Sequence, residues 1–100
     1  MRVLHNERRL QVLDWLRDPV ANFPPQQDGD LVDDGVCLVS IAEKLAISQP
    51  SASKHMELLR AAGLVRAKSI GRWTFYRRDE AAITAAASAI SIELVGSKRR

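Results

Sequence analysis

The sequence is poor in the side chains that build disulfides, metal sites and catalytic centres. It contains one cysteine and two histidines in 100 residues. A single cysteine excludes an internal disulfide framework. Two imidazoles and one thiol do not provide a nucleophile, its base and a third group that orients the base. We therefore do not expect an enzyme.

Long uncharged apolar runs are also missing. A membrane-spanning helix needs roughly 18 such residues in a row, and residues 1–7 lack the apolar core of a signal peptide. The composition, 46% hydrophobic and 27% charged, is too apolar for a disordered chain. We expect one cytoplasmic domain over residues 1–100, with no membrane partner and with its thiol reduced.

Acidic residues are scarce in the last third of the chain. Residues 65–100 carry eight Lys/Arg and three Asp/Glu, whereas residues 1–64 carry seven Lys/Arg and nine Asp/Glu, so the net charges are +5 and −2. This asymmetry favours a polyanionic partner for one region. A solvated basic surface with a basic tail at residues 96–100 would give the same count.

Apolar spacing predicts a helix near each end of the chain. The first covers residues 6–18, with Asn6 as its cap. The last covers residues 79–95, with Asp79 as its cap. The residues expected on the inner faces are Leu10, Leu13, Leu16, Ile83, Ala87, Ile90 and Leu94.

A pair of shorter helices is predicted over residues 36–62. The first covers residues 36–46, and a turn at residues 46–48 leads into the second. Ser48 caps this second helix, and Gly63 ends it in the left-handed conformation. Ala52, Met56 and Leu59 are the residues expected to face the core.

An acidic loop is predicted at residues 19–35, between the first helix and the pair. It would pack on the domain through Phe23 and Leu31. Oxygen ligands of this kind suit a hard cation such as Ca²⁺ or Mg²⁺, but their spacing matches no known cation-binding loop. The acidic residues are Asp28, Asp30, Asp33 and Asp34.

Residues 64–78 change to a period of two and predict a basic β-hairpin, with strands at 64–68 and 73–77. Two short helices followed by such a hairpin form the layout of a winged helix-turn-helix. The expected fold is mainly α with a small β-hairpin wing, in the order α-α-α-β-β-α. The wing residues expected to neutralise DNA phosphates are Lys68, Arg72, Arg77 and, more weakly, Arg78.

The start of the second helix of the pair is the expected DNA-reading element. A recognition helix presents small polar side chains at its N-terminal end, so that it can approach base edges in the major groove, and glutamine can read adenine with two hydrogen bonds. His55 is either a phosphate or base contact or a packing residue bonded to backbone. The expected DNA contacts of this helix are Gln49, Ser51, Ser53, Lys54 and His55.

The run Ser-Gln-Pro-Ser-x-Ser-x-His at 48–55, followed by Leu-Leu-Arg-x-Ala-Gly-Leu-Val at 58–65, resembles the ArsR/SmtB family of bacterial winged-helix regulators. The resemblance extends over about residues 36–78. It implies a homodimer that binds an inverted-repeat DNA operator, usually as a repressor. It also implies that residues 6–18 and 79–95 build the dimer interface.

The metal sites typical of that family are broken in this sequence. Cys37 matches the first of two family cysteines, but Val39 stands where the second would be, and residues 79–95 contain no histidine. One thiolate cannot form a closed site for a soft metal. We expect no cofactor, and we expect Cys37 to be a small buried residue rather than a metal ligand. A non-standard nickel or zinc site that uses Cys37 or His5 is the alternative.

Two further alternatives stay open. The domain would serve instead as a protein-interaction module, with residues 26–34 or the last helix docking a co-regulator, because a fold does not fix a function. Ala46 occupies a turn position where relatives often have glycine, and it would be strained if left-handed.

Overall fold

The computed structural model describes the backbone of residues 2–95 and the side-chain surroundings of residues 2–89. The basic tail expected at 96–100 lies outside these residues. The described chain forms a 3-10 turn at Arg2–Leu4, then α1 (Glu7–Arg17), α2 (Pro19–Asn22), β1 (Val36–Cys37), α3 (Leu38–Leu45), α4 (Gln49–Ala61), β2 (Val65–Ile70), β3 (Trp73–Arg78) and α5 (Glu80–Val95).

Helix α1 begins as predicted, because the Asn6 side chain accepts a hydrogen bond from the backbone N–H of Arg9 at 3.2 Å. Its inner face consists of Val12, Leu13 and Leu16, all of which are buried in the core. Leu10 was expected on that buried face, but it is 49% exposed. Its side chain lies at an open apolar edge between α1 and α5.

The prediction of an unbroken loop at 19–35 is wrong at its start. The Asp18 side chain accepts from the backbone N–H of Ala21 and caps the short helix α2, and Pro19 occupies the first turn, where it loses no hydrogen bond. The rest of the segment, residues 23–35, is called the insert below. As expected, it packs through Phe23, which is 5% exposed, and through half-buried Leu31.

The prediction of a helix over 36–46 is also wrong at its start. Val36 and Cys37 form β1, which pairs antiparallel with β3 opposite Tyr76 and Phe75, so α3 begins only at Leu38. The sheet therefore has three strands in the order β1-β3-β2. A two-residue strand has no periodicity of its own to reveal it, and its partner lies far along the chain.

The turn between α3 and α4 meets the condition under which Ala46 would be strained. Ala46 has a φ of 58°, in the left-handed region. The backbone N–H of Ile47 donates to the backbone oxygen of Ala42 at 3.1 Å and closes the end of α3. At its other end, α4 is followed by Gly63 with a φ of 79°, as predicted.

The β2–β3 hairpin turns more tightly than predicted, because β2 continues to Ile70 and only Gly71 and Arg72 remain in the turn. The predicted cap of α5 is confirmed by the bond from the backbone N–H of Ala82 to the Asp79 carboxylate at 3.0 Å. The expected mainly helical winged-helix architecture is thus confirmed in its principal elements. No described helix is long and apolar enough to cross a lipid bilayer.

Candidate nucleic-acid interface

The N-terminal half of α4 carries the side chains that were predicted to read DNA. Gln49, Ser51 and Lys54 are exposed, and Ser53 is half-buried. The hydroxyl of Ser48 accepts from the backbone N–H of Ser51 at 3.2 Å and donates to the Ser51 hydroxyl at 3.0 Å. This cap fixes the start of the helix and leaves its outer face open.

The inner face of α4 is held firmly by the core. Ala52, Met56 and Leu59 are each 0% exposed, as predicted. A helix that is buried along one side cannot rotate about its axis without exposing these residues. The orientation of its polar face is therefore fixed. This is the rigid presentation that a base-reading helix needs.

His55 lies on the flank of α4 that faces α1. Of the two alternatives for this residue, the packing one assumed a backbone partner, but the partner in the structure is the side chain of Arg9. Its Nδ1 lies 3.1 Å from Nη1 of Arg9, whose Nε donates to the backbone oxygen of Val3 at 2.7 Å. Burial of the imidazole, and then the charges of Arg9 and Arg8, lower the pKa of His55 below its usual 6.5. His55 therefore joins α4 to α1 and the N-terminal segment.

The wing carries its predicted cations in different environments. Arg77 is exposed, and Arg72 at the hairpin turn stacks on Trp73 at 5.4 Å from the ring centre. Arg78 is engaged inside the molecule: it donates to the backbone oxygen of Leu13 at 2.9 Å and to Glu80 at 3.0 Å. Arg78 thus ties the wing to α1, which corrects the expectation that it would contact phosphate.

Lys68 has a partner that the sequence did not predict. Its Nζ lies 2.5 Å from Oδ1 of Asp34 in the insert. This hydrogen bond, followed by that from the backbone N–H of Asp30, lowers the pKa of Asp34 below its usual value. The insert therefore touches the wing at one of its predicted phosphate contacts.

An open groove of about 570 Å³ runs beside β2 at the base of the wing. It brings Lys68 and Arg77 together with two cations that sequence reasoning did not assign to the site, Arg60 and Arg66. Arg66 alternates with Lys68 along β2, and this period of two is the signal that could have revealed it. The charged residues that line the groove are Arg60, Arg66, Lys68, Arg77 and Asp33.

The carboxylates of the insert serve its own backbone. Asp30 accepts from the backbone N–H groups of Val32 at 3.0 Å and Asp33 at 2.8 Å. Within the part of the chain that the structure describes, no three His, Cys, Asp or Glu side chains come together as metal ligands. The two weak candidates for metal ligands differ in their exposure: Cys37 is half-buried, and His5 is exposed.

A second feature lies between the two terminal helices. An entirely apolar groove of about 180 Å³, called the apolar groove below, opens there, and half-exposed Leu10 forms part of it. Its lining residues are Leu4, Leu10, Leu13, Leu64, Ile83, Ala86 and Ala87.

Comparison with known proteins places this architecture among regulators of transcription. The uncharacterized HTH-type transcriptional regulator YbzH of Bacillus subtilis strain 168 is 41% identical over 93 residues, which cover 93% of each chain. The arsenic resistance transcriptional regulator ArsR1 of Pseudomonas putida is 36% identical over 42 residues, 42% of this chain and 33% of that protein.

Solved structures share the fold of this chain. The crystal structure of an ArsR family transcriptional regulator superposes with a TM-score of 0.69 and 18% identity, covering 99% of this chain and 87% of the other. No protein-family model matches the chain. These two relatives are both named as regulators of transcription. YbzH is 41% identical along almost the whole chain and is an HTH-type transcriptional regulator, and ArsR1 shares the ArsR name with the superposed structure. The chain therefore belongs to the ArsR family of helix-turn-helix transcriptional regulators.

Proposed function

We propose that this regulator is not an enzyme and that it binds a specific DNA operator through the N-terminal half of α4, with the wing beside it on the DNA backbone. The observation that carries this proposal is the contrast between the two faces of α4. Ala52, Met56 and Leu59 are fully buried, while Gln49 and Lys54 are exposed. Gln49 and Ser53 would contact base edges, and Lys54 would contact phosphate.

The wing supplies the sequence-independent part of the binding. Arg72 and Arg77 are exposed cations on the hairpin, and Lys68 and Arg77 line the open groove beside β2. Each phosphate that such a cation neutralises releases counterions, so the binding is expected to weaken steeply as salt is added.

We propose that two copies associate through the apolar groove. Its lining is wholly apolar, and Leu10 within it is 49% exposed, which is costly in water and favourable once covered. A symmetric pair would present two copies of α4 to two half-sites about 34 Å apart, which is one turn of DNA. Occupation of such an operator would exclude other proteins from it, and a repressor is therefore the expected role.

A co-regulator protein is a second candidate partner, and one observation favours it. Val20 of α2 and Val32 of the insert are 65% and 59% exposed, and both line one open groove. A partner protein that covered them would carry the inducing signal to a regulator that lacks the metal ligands of its relatives.

A mobility-shift titration on the DNA upstream of its own gene tests the proposed function. We expect binding that weakens with salt and that is lost in Lys54→Ala and Arg72→Ala. Arg17→Ala is the matched control, because Arg17 is an exposed cation on α1 that pairs with Asp14. Undetectable or salt-insensitive binding at micromolar protein would refute the proposal, and equal losses in all three variants would refute the assignment of the surface.

A further inference from the structure

We propose that the insert contains an intramolecular competitor of DNA: Asp34 holds Lys68 in the free protein and weakens the contact between the wing and the DNA backbone. This inference rests on the proposed DNA binding and assigns a regulatory role to the insert. Asp34 thereby sets both the affinity for DNA and the number of phosphates that the wing neutralises.

The Asp34 carboxylate is fixed on two sides. Oδ1 lies 2.5 Å from Nζ of Lys68, and Oδ2 accepts from the backbone N–H of Asp30 at 2.7 Å. The second bond does not involve the wing, so it persists when Lys68 leaves. A phosphate that binds Lys68 therefore meets a carboxylate that stays beside it.

The insert as a whole is also held in place. The side-chain amide of Gln26 donates to the backbone oxygen of Gly35 at 2.7 Å and accepts from the backbone N–H of Cys37 at 3.2 Å. Gly29 lies against the ring of Phe75, which is 1% exposed. Release of the insert would expose this ring, so the insert is expected to stay in position when DNA binds.

The neighbouring cations are engaged in the same way. Arg66 lies 3.0 Å from Asp79, Arg60 pairs with Glu57, and Asp33 lines the groove beside them. Among the described residues, Arg77 is the groove cation that has no ion pair. The Asp34 pair differs from the other two because its acid comes from the insert and not from α4 or the edge of α5.

The size of the effect follows from the exposure of the pair. The Lys68 side chain is 55% exposed, and solvent-exposed ion pairs are weak, so the expected change in affinity is at most about fivefold. One additional neutralised phosphate adds roughly 0.9 to the slope of log affinity against log salt.

The test compares Asp34→Asn with Asp28→Asn. Both remove one negative charge from the insert, but Asp28 is exposed and makes no ion pair among the described residues. The asparagine amide oxygen at position 34 can still accept from the backbone N–H of Asp30, so the loop keeps its geometry. Each variant is also made together with Lys68→Ala.

The measurement is fluorescence anisotropy on a short labelled duplex of arbitrary sequence over a range of salt, since phosphate contacts do not depend on sequence. At low salt, Asp34→Asn is expected to bind about threefold to fivefold more tightly than Asp28→Asn, with a slope steeper by about 0.9. In the Lys68→Ala background this difference is expected to disappear.

Two results would overturn the inference while leaving the proposed function intact. One is an equal increase in affinity in Asp34→Asn and Asp28→Asn, which is the signature of long-range charge alone. The other is an Asp34→Asn increase that survives in Lys68→Ala. Failure of the wild-type protein to bind any duplex would instead refute the proposed DNA binding itself.

Discussion

Gly35 lies directly against the backbone of Tyr76: a Cβ at position 35 would stand 2.5 Å from the Tyr76 carbonyl carbon. Gly35 also has a φ of 110°, a backbone conformation that residues with a side chain rarely adopt. The close approach brings the end of the insert onto β3 and starts β1. The packing of the insert on the sheet therefore depends on the absence of a side chain at this residue.

Gly35→Ala is expected to destabilise the fold strongly. The left-handed strain costs about 1–2 kcal/mol, and the steric overlap adds about 1–3 kcal/mol. Gly63→Ala is the matched control, because Gly63 has a φ of 79° with open space around it. Urea unfolding measures both variants. A Gly35→Ala loss no larger than that of Gly63→Ala would contradict the close approach.

Ala46→Gly is expected to stabilise the protein. The left-handed φ of 58° is strained for alanine and ordinary for glycine. After the extra flexibility of glycine in the unfolded chain is subtracted, a net stabilisation of about 0.5–1 kcal/mol remains, or a few degrees in Tm. Thermal unfolding measures it, with Ala21→Gly, within helix α2, expected to lower Tm. An unchanged or lowered Tm in Ala46→Gly would refute the strain.

Stability is expected to fall as the pH drops below about 6.5, and His55 is one cause. The Arg9 guanidinium can only donate, so Nδ1 of His55 must accept, which requires a neutral imidazole with its proton on Nε2. Because burial and then the charges of Arg9 and Arg8 lower the folded pKa below 6.5, the unfolded chain takes up the proton first. The stabilisation is complete above the unfolded value and is lost as the pH falls through the lowered folded pKa.

His55→Gln tests this dependence, since glutamine can accept from Arg9 without titrating. Its Tm is expected to change less with pH than that of the wild type below pH 6.5. His5→Gln, at an exposed position, is the matched control. Parallel profiles for His55→Gln and wild type would show that the Arg9 contact does not govern the imidazole.

Gln49→Ala and Arg77→Ala are expected to fail in different ways. Loss of a base-reading side chain reduces discrimination at one operator position by roughly 1–3 kcal/mol. Loss of a phosphate contact weakens all sequences alike and lowers the salt slope by about 0.9. Competition binding against operators with single-base changes distinguishes the two effects. The control is Gln11→Ala, because Gln11 is exposed on α1. A uniform loss in both variants would show that Gln49 reads no base.

Leu10→Lys is expected to weaken self-association by tenfold or more, because a covered leucine side chain contributes about 1.5–3 kcal/mol. Val20→Lys is the control, since Val20 is 65% exposed and lies outside the apolar groove. Sedimentation over a concentration series measures the dimer constant. A single-subunit mass for the wild type, or an equal effect of both variants, would refute the proposed interface.

The sequence predicted those parts of the fold that local chemistry determines. The caps at Asn6, Ser48 and Asp79 depend on residues three positions away, and each is confirmed. The strand at Val36 and Cys37 could not be predicted, because it exists only through pairing with β3. The ion pair between Asp34 and Lys68 likewise depends on how the insert lies on the sheet.

The candidate site divides in the same way. The exposed side chains in the N-terminal half of α4 could be predicted, because a capped helix exposes known positions, and Gln49, Ser51 and Lys54 are exposed. The partner and the exposure of each cation could not be predicted from the sequence. Arg78 bonds to the Leu13 backbone within the molecule, and its neighbour Arg77 remains exposed. Alternation along a strand separates the two faces of the sheet but does not say what covers each face.

The side-chain amide of Gln26 limits how a strand of another molecule can pair with the sheet. By bonding to Gly35 and Cys37 it occupies main-chain groups that an incoming strand would otherwise use. The opposite margin of the sheet carries the charged side chains Arg66 and Lys68, which oppose fibril-like stacking. We therefore expect both edges of the sheet to resist pairing with a strand of another molecule, which would limit aggregation at high concentration.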